Sequence, residues 1–244
     1  MYPFEPVRPA WEALIAAIHD RLPWVPAGLD WTEDVHDAWR DPSCVLSHAC
    51  GWPVAALLRD EVRVAGAFSL SIPGSDGYRY RSVLLATRSG SPAEFARHGV
   101  VAGANSRDSL SGWVSLVAAT VGPGGRWPGE VRWTGAHTES LRAVREGRVD
   151  IACIDALTLA HLQRIDPGAT DGLFEVGRGP WIPSPAIVIR RDATDERLAD
   201  TRAAFADVFA DPALAGARAA LLLDGFVPLG NGDYESLLAL TPAV

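Results

Sequence analysis

The chain has no lysine: its 22 basic residues are all arginine, and 30 acidic residues outnumber them for a net charge of −8. The arginines are scattered and form no basic stripe, so the composition argues against a nucleic-acid partner. Cysteine is scarce. Cys44, Cys50 and Cys153 make an odd set without CxxC spacing, so reduced, buried thiols are expected, with a Cys44 to Cys50 bridge left open. The six histidines are dispersed and show no HExxH or paired Cys/His pattern, so no metal site is expected. The glycine runs GPGG at Gly122 and GRG at Gly177 match neither a P-loop nor a dinucleotide fingerprint, so no cofactor is expected either. Long apolar runs are missing too. Stretches such as Ala217 to Leu223 are far too short for a bilayer, and no membrane insertion is expected. The N-terminal MYPFEPVRPAWEAL lacks a basic head, an apolar run and a small-residue cleavage site. The chain as given is therefore expected in the cytoplasm, and in the periplasm if its true start lies upstream of Met1, the only methionine.

What is present suits a folded α/β protein. A hydrophobic content of 48% supports a substantial core, in one large domain or two small lobes. Trp11, Leu14, Ile15, Ile18 and Leu22 have the spacing of one buried helical face, closed by Pro23. A short helix is expected from Glu33 to Trp39. Further on, strands alternate with helices, which predicts largely parallel sheets. Three helices are expected near the end, at Asp195 to Ala210, Pro212 to Leu223 and Tyr234 to Leu240.

One theme recurs. Polar turns at Ser47 to Gly51, Asp108 to Gly112 and Thr134 to Ser140 each follow a strand and open a helix. After the third turn, Leu141 and Val144 mark the helix, Gly147 suits its C-terminal cap, and the strand Val149 to Ile154 ends on Asp155. Helix N-termini carry unpaired N–H groups and a partial positive charge, which suit an anion. Ligands of open α/β sheets bind at the carboxyl ends of the strands. Capping alone requires one polar side chain per helix start, whereas these three turns hold several hydroxyls and two histidines. The simpler reading stays open beside it: Thr134 or Thr138, Ser109 and Asp155 are helix caps, and His48 and His137 are turn histidines.

LSHACGWP, GYRYRSVLLATR, NSRDSLSGW, TGAHTESLRAVREGRVDIACIDALTLAHL and IPSPAIVIR, in that order, resemble the phosphate/phosphite/phosphonate-type substrate-binding proteins of ABC transporters. The resemblance covers nearly the whole chain. It implies a type 2 periplasmic-binding-protein fold, with two α/β lobes, a hinge and an interlobe cleft. Lobe 1 would comprise residues 1–85 and 187–244 and lobe 2 residues 86–186, with crossings near Ser82 to Thr87 and Ser184 to Ile189. The ligand it implies is a small oxyanion of the phosphonate, phosphate or phosphite class, and the partner an ABC permease. Carried onto this chain, the oxyanion donors are Ser109, Ser111 and Gly112 in one turn and Thr134, Gly135, His137 and Ser140 in the next. Lobe 1 contacts fall on Ser47, His48, Tyr78 and Tyr80, and the acidic residue after the strand is Asp155. Three departures from the resemblance stand out: His48 and Ala49 stand where many relatives have glutamine and threonine, no secretion or lipoprotein signal is visible, and the first strand expected ahead of MYPFEP is missing or shortened, either because Met1 is a late start or because the lobe 1 sheet lacks that strand.

Two other readings fit the same fold. Enzymes resembling menaquinone-pathway dehydratases or pyrimidine-forming thiamin enzymes act on a small carboxylate or pyrimidine in such a cleft; the sequence shows no nucleophile and base at recognisable spacing, and His137 with Asp155 is the one candidate pair. A stand-alone ligand sensor is the third.

Overall fold

The computed structural model describes residues 2–31 and 35–243. Along the chain, the first half comprises α1 (Arg8–Arg21), α2 (Val35–Arg40), β1 (Leu46–Ala49), α3 (Gly51–Ala56), β2 (Val62–Leu70), β3 (Ser75–Asp76), β4 (Arg79–Tyr80), β5 (Val83–Ala86), β6 (Val101–Ala104) and α4 (Ser115–Thr120). The second half comprises β7 (Glu130–Trp133), α5 (His137–Arg145), β8 (Ile151–Ile154), α6 (Ala156–Ile165), β9 (Phe174–Arg178), β10 (Ile182–Pro183), β11 (Ala186–Arg190), α7 (Asp195–Ala210), α8 (Ala215–Leu221) and β12 (Leu223–Pro228). The Glu33 start expected for the second helix lies outside the described residues.

Two compact units result: unit 1 is Met1–Arg79 with Pro183–Glu235, and unit 2 is Tyr80–Ile182 with Ser236–Val244. The chain changes unit after Arg79 and after Ile182, a few residues ahead of the crossings expected from sequence. It changes once more after Glu235, so that the last residues join unit 2.

In unit 1 the sheet order is β1-β11-β2-β12, and every neighbouring pair is antiparallel. The expectation of parallel sheets fails here for a topological reason. β11, which re-enters unit 1 late in the chain, inserts between β1 and β2 and runs against both. β2 (VRVAGAFSL) is buried along almost its whole length, as a strand paired on both sides requires. In α1, Leu14 and Ile18 face the core, Pro9 sits in the first turn, where its missing N–H costs nothing, and Arg21 lies in the last turn, where a cation is favoured.

In unit 2 the order is β7-β6-β8-β5-β9. Here β7, β6 and β8 are parallel, while β5 pairs antiparallel with β8 and β9. A core of Leu84, Phe95, Val100, Leu116, Val117, Trp127, Ile151 and Cys153 fixes α4 to the sheet. Burying each of the larger side chains is worth about 1.5–3 kcal/mol. The three parallel strands end at the same edge, and the turns that follow them lie side by side there.

Candidate functional site

The first turn of unit 2 follows β6. Ser109 adopts an extended backbone and its Oγ accepts the Gly112 N–H at 3.0 Å, so it caps the helix that follows. The Val114 N–H reaches back five residues to the Ser109 carbonyl at 3.0 Å, which makes Leu110–Val114 a π-helical turn. Such widened turns recur at functional sites. Ser111 lies inside the turn and caps nothing. A Cβ on Gly112 would fall 2.0 Å from Asn105 Oδ1 and 2.9 Å from Ser109 Oγ, so only glycine lets the Asn105 side chain cross the turn. Asn105 Oδ1 is buried and has no hydrogen-bond partner. The motifs read from sequence do not single out this residue, although its signal is plain: a lone amide directly after an apolar strand of small residues.

The second turn follows β7 and is tied to the first by main-chain bonds. Thr134 N–H donates to Ala104 C=O at 2.8 Å and Gly135 N–H to Asn105 C=O at 3.0 Å. Gly135 has φ +84, a left-handed conformation that glycine adopts without strain. The Thr134 and Ser140 hydroxyls lie 2.6 Å apart, and Thr134 Oγ1 also reaches the carbonyls of Ala104 and Ala136 at 3.2 and 3.1 Å. Ser140 is completely buried. These two hydroxyls close the turn on itself and start α5 at His137.

Four side chains from separate elements then join. Ser111 Oγ lies 2.9 Å from His137 Nε2, and the Asp155 N–H donates to His137 Nδ1 at 3.4 Å. Asp155 Oδ1 caps α6 by accepting the Thr158 N–H at 2.8 Å. Its Oδ2 accepts the Tyr80 hydroxyl at 2.5 Å. Ser109, Ser111, Tyr80 and Asp155 are each no more than 5% exposed. Burial lowers the His137 pKa, opposed by the Asp155 charge and the Cys153 carbonyl, which favours the neutral imidazole with one proton to place. Tyr80, assigned from sequence to lobe 1, thus belongs with Asp155 in unit 2. Replacing it by phenylalanine is expected to cost about 1.5–3 kcal/mol, the worth of a hydrogen bond to a charged group. Denaturant titration reads this; an unchanged stability would mean that the contact is not formed in solution.

The remaining sequence-derived residues lie in unit 1 and do not gather there. Successive residues of β1 point to opposite faces. Ser47 faces a groove of about 520 Å³ that also exposes Cys44, Arg40, Glu61, Arg190 and Asp192. His48 turns the other way: its ring packs against Tyr2, Trp11 and Phe68, and Nε2 lies 3.1 Å from the Pro185 carbonyl. Tyr78 is half-buried, and its carbonyl accepts the Ser184 N–H at 2.7 Å.

His137 and Asp155, the candidate acid-base pair of the enzyme reading, meet through the Asp155 N–H. The ring meets the Asp155 main chain, and the carboxylate is held by Thr158 and Tyr80. Among the described residues no group of three or more His, Cys, Asp and Glu side chains could hold a metal ion, and no helix is long and apolar enough to cross a membrane.

Residues 46–234 match the family model of the ABC transporter, phosphonate, periplasmic substrate-binding protein. No curated protein sequence matches the chain. Among solved structures, it is similar to a binding protein component of an ABC phosphonate transporter from Pseudomonas aeruginosa, with a TM-score of 0.73 and 16% identity over 96% of this chain and 80% of that one. A Xanthomonas citri protein bound to ATP aligns at a TM-score of 0.67 and 14% identity, over 96% of this chain and 93% of the other. PhnD1 from Prochlorococcus marinus, in complex with methylphosphonate, aligns at 0.63 and 12% identity, over 84% and 79%.

Proposed function

The chain belongs to the family of periplasmic substrate-binding proteins of phosphonate ABC transporters, with the two-lobed type 2 fold and a solute-binding function, and on that premise we propose that unit 2 holds a small phosphonate-class oxyanion. The observation that carries this reading is the convergence of Ser109, Ser111 and His137 beside Gly112, at the shared carboxyl end of parallel strands. Ser109 accepts one main-chain N–H through a lone pair, which leaves its own proton for a ligand oxygen. Ser111 and His137 share one proton between them and keep a second. The ligand's charge is met by hydroxyls and main-chain dipoles, and needs no arginine. Thr134, Gly135 and Ser140 shape the second turn, while Tyr80 and Asp155 brace it from β4 and α6. A family of this kind delivers its small-molecule ligand to a permease partner, and the periplasm is where that delivery takes place. An enzyme acting on a carboxylate or pyrimidine is not favoured by the family match.

A thermal-shift comparison tests the ligand class. Methylphosphonate, aminoethylphosphonate, phosphate and phosphite are each added at saturating concentration, with citrate and uracil as controls. A ligand at about 100 times its Kd adds about 2.7 kcal/mol of stability. Upward shifts with the phosphorus oxyanions and none with the controls are expected; the reverse pattern would replace the reading.

A further inference from the structure

The His137 ring lies between a hydroxyl and a pair of main-chain groups. Nε2 faces Ser111 Oγ at 2.9 Å. Nδ1 accepts the Asp155 N–H at 3.4 Å, and the Cys153 carbonyl is a further main-chain partner of the ring. A neutral imidazole carries its proton on one nitrogen or the other, and each placement has a partner here. With the proton on Nε2, the ring donates to Ser111 and accepts from Asp155. The Ser111 proton is then free to point at an anion. With the proton on Nδ1, where it displaces the Asp155 N–H and the Cys153 carbonyl is the ring's main-chain acceptor, Nε2 accepts the Ser111 proton. Ser111 then offers a ligand only lone pairs. Neither arrangement changes the charge of the site.

We infer that His137 is a positioning residue whose tautomer sets the hydrogen-bonding polarity of Ser111, so that one pocket takes an oxyanion either fully ionised or carrying one acidic proton. Ser111 donates to the ionised form and accepts from the protonated form. The inference rests on the oxyanion reading of unit 2 and extends it to the ligand's protonation state. It suits phosphonates and phosphate, whose second ionisation falls near neutrality, and it is of no use for sulfate.

The surroundings leave the ring free to make this choice. β5, β6, β8 and α6 pack against α5. The three strands bring one ionisable side chain, Cys153, whose thiol burial keeps protonated. α6 brings the Asp155 cap, whose charge bears on the ring, and carries His161 and Arg164 further along. On α5 itself Glu139 is paired with Arg142. The Asp155 charge and the Cys153 carbonyl favour a proton on the ring, whereas burial opposes a second one.

Nitrogen NMR of the protein labelled with 15N-histidine reads the tautomer directly. The His137 signals are identified by their loss in His137→Gln, or by through-bond correlation should that variant not fold. Methylphosphonate is added well below and well above its second ionisation, and sulfate at the same two pH values. The expected pattern is Nδ1–H with the methylphosphonate monoanion, Nε2–H with its dianion and Nε2–H with sulfate throughout. One tautomer in both methylphosphonate states, or an imidazolium in either, would overturn the inference while the oxyanion reading stood. No saturable response to either anion would overturn the oxyanion reading, and this inference with it.

Discussion

Replacing Ser109 and Ser111 together by alanine is expected to weaken methylphosphonate binding by about 100-fold or more. Each hydroxyl offers a hydrogen bond to a charged ligand, worth about 1.5–3 kcal/mol, and the two come from one turn, so their losses combine. The fold feels the change less. Ser109→Ala removes a helix cap, which costs about 0.5–2 kcal/mol, and Ser111→Ala leaves His137 Nε2 without the partner it has at 2.9 Å. Stability and affinity therefore separate in the single variants. Ser109→Ala loses stability through the Gly112 N–H it no longer accepts, whereas Ser111→Ala also releases the His137 ring. Calorimetric titration checks the double variant, with denaturant unfolding alongside to show that it is folded. Affinity within a few-fold of the unsubstituted protein would remove these serines from the site.

The second large effect is on stability in acid. Enclosure of His48 by Tyr2, Trp11 and Phe68 lowers its pKa from 6.5 to about 3, against the pull of the Pro185 carbonyl. Between those two values the unfolded chain holds a proton that the folded chain does not. Stability from this group is therefore complete above 6.5 and falls as the pH drops toward 3, by about 1.4 kcal/mol for each pH unit. His137, lowered in the same direction by burial, adds to the slope. His48→Gln is expected to be less stable at neutral pH, where the aromatic packing is lost, but to lose less on acidification. Urea midpoints at neutral and mildly acidic pH separate the two effects. Parallel losses in both proteins would show that His48 takes up a proton in the folded state. His48, a ligand candidate on sequence grounds, thus has a structural anchor in view at Pro185.

The contrast between Ser111 and His48 shows what sequence reading could and could not reach. Order and type of the elements around the turns are legible because β6 and β8 are short and apolar, Gly147 follows α5, and Ser109 and Asp155 cap the helices after them; the cap expected from Thr134 or Thr138 is not made, since α5 starts after Ala136 with no side-chain cap. The family resemblance was legible for the same reason, since its five segments contain those turns. Direction of pairing was not: β11 enters between β1 and β2 from far along the chain, and nothing local announces that. β12 was hidden as well. ALLLDG continues the apolar pattern of α8, yet Leu222 turns left-handed with φ 59, and the chain becomes a strand against β2. Side-chain partners were the least accessible. That Tyr80 meets Asp155 depends on residues 75 apart in sequence, and that Thr134 meets Ser140 and Asn105 crosses Gly112 depends on how each turn folds back on itself. The polar composition of the turns was visible, but how they divide between bracing one another and presenting donors was not.

Unit 2 is proposed to bind a small oxyanion through its first turn. The most direct test is isothermal titration of the protein with methylphosphonate, repeated with Ser109→Ala. Saturable binding that weakens by about 10- to 100-fold in the variant is expected, as for loss of one charge-assisted hydrogen bond. Absence of heat with the unsubstituted protein, or binding that Ser109→Ala leaves untouched, would contradict it.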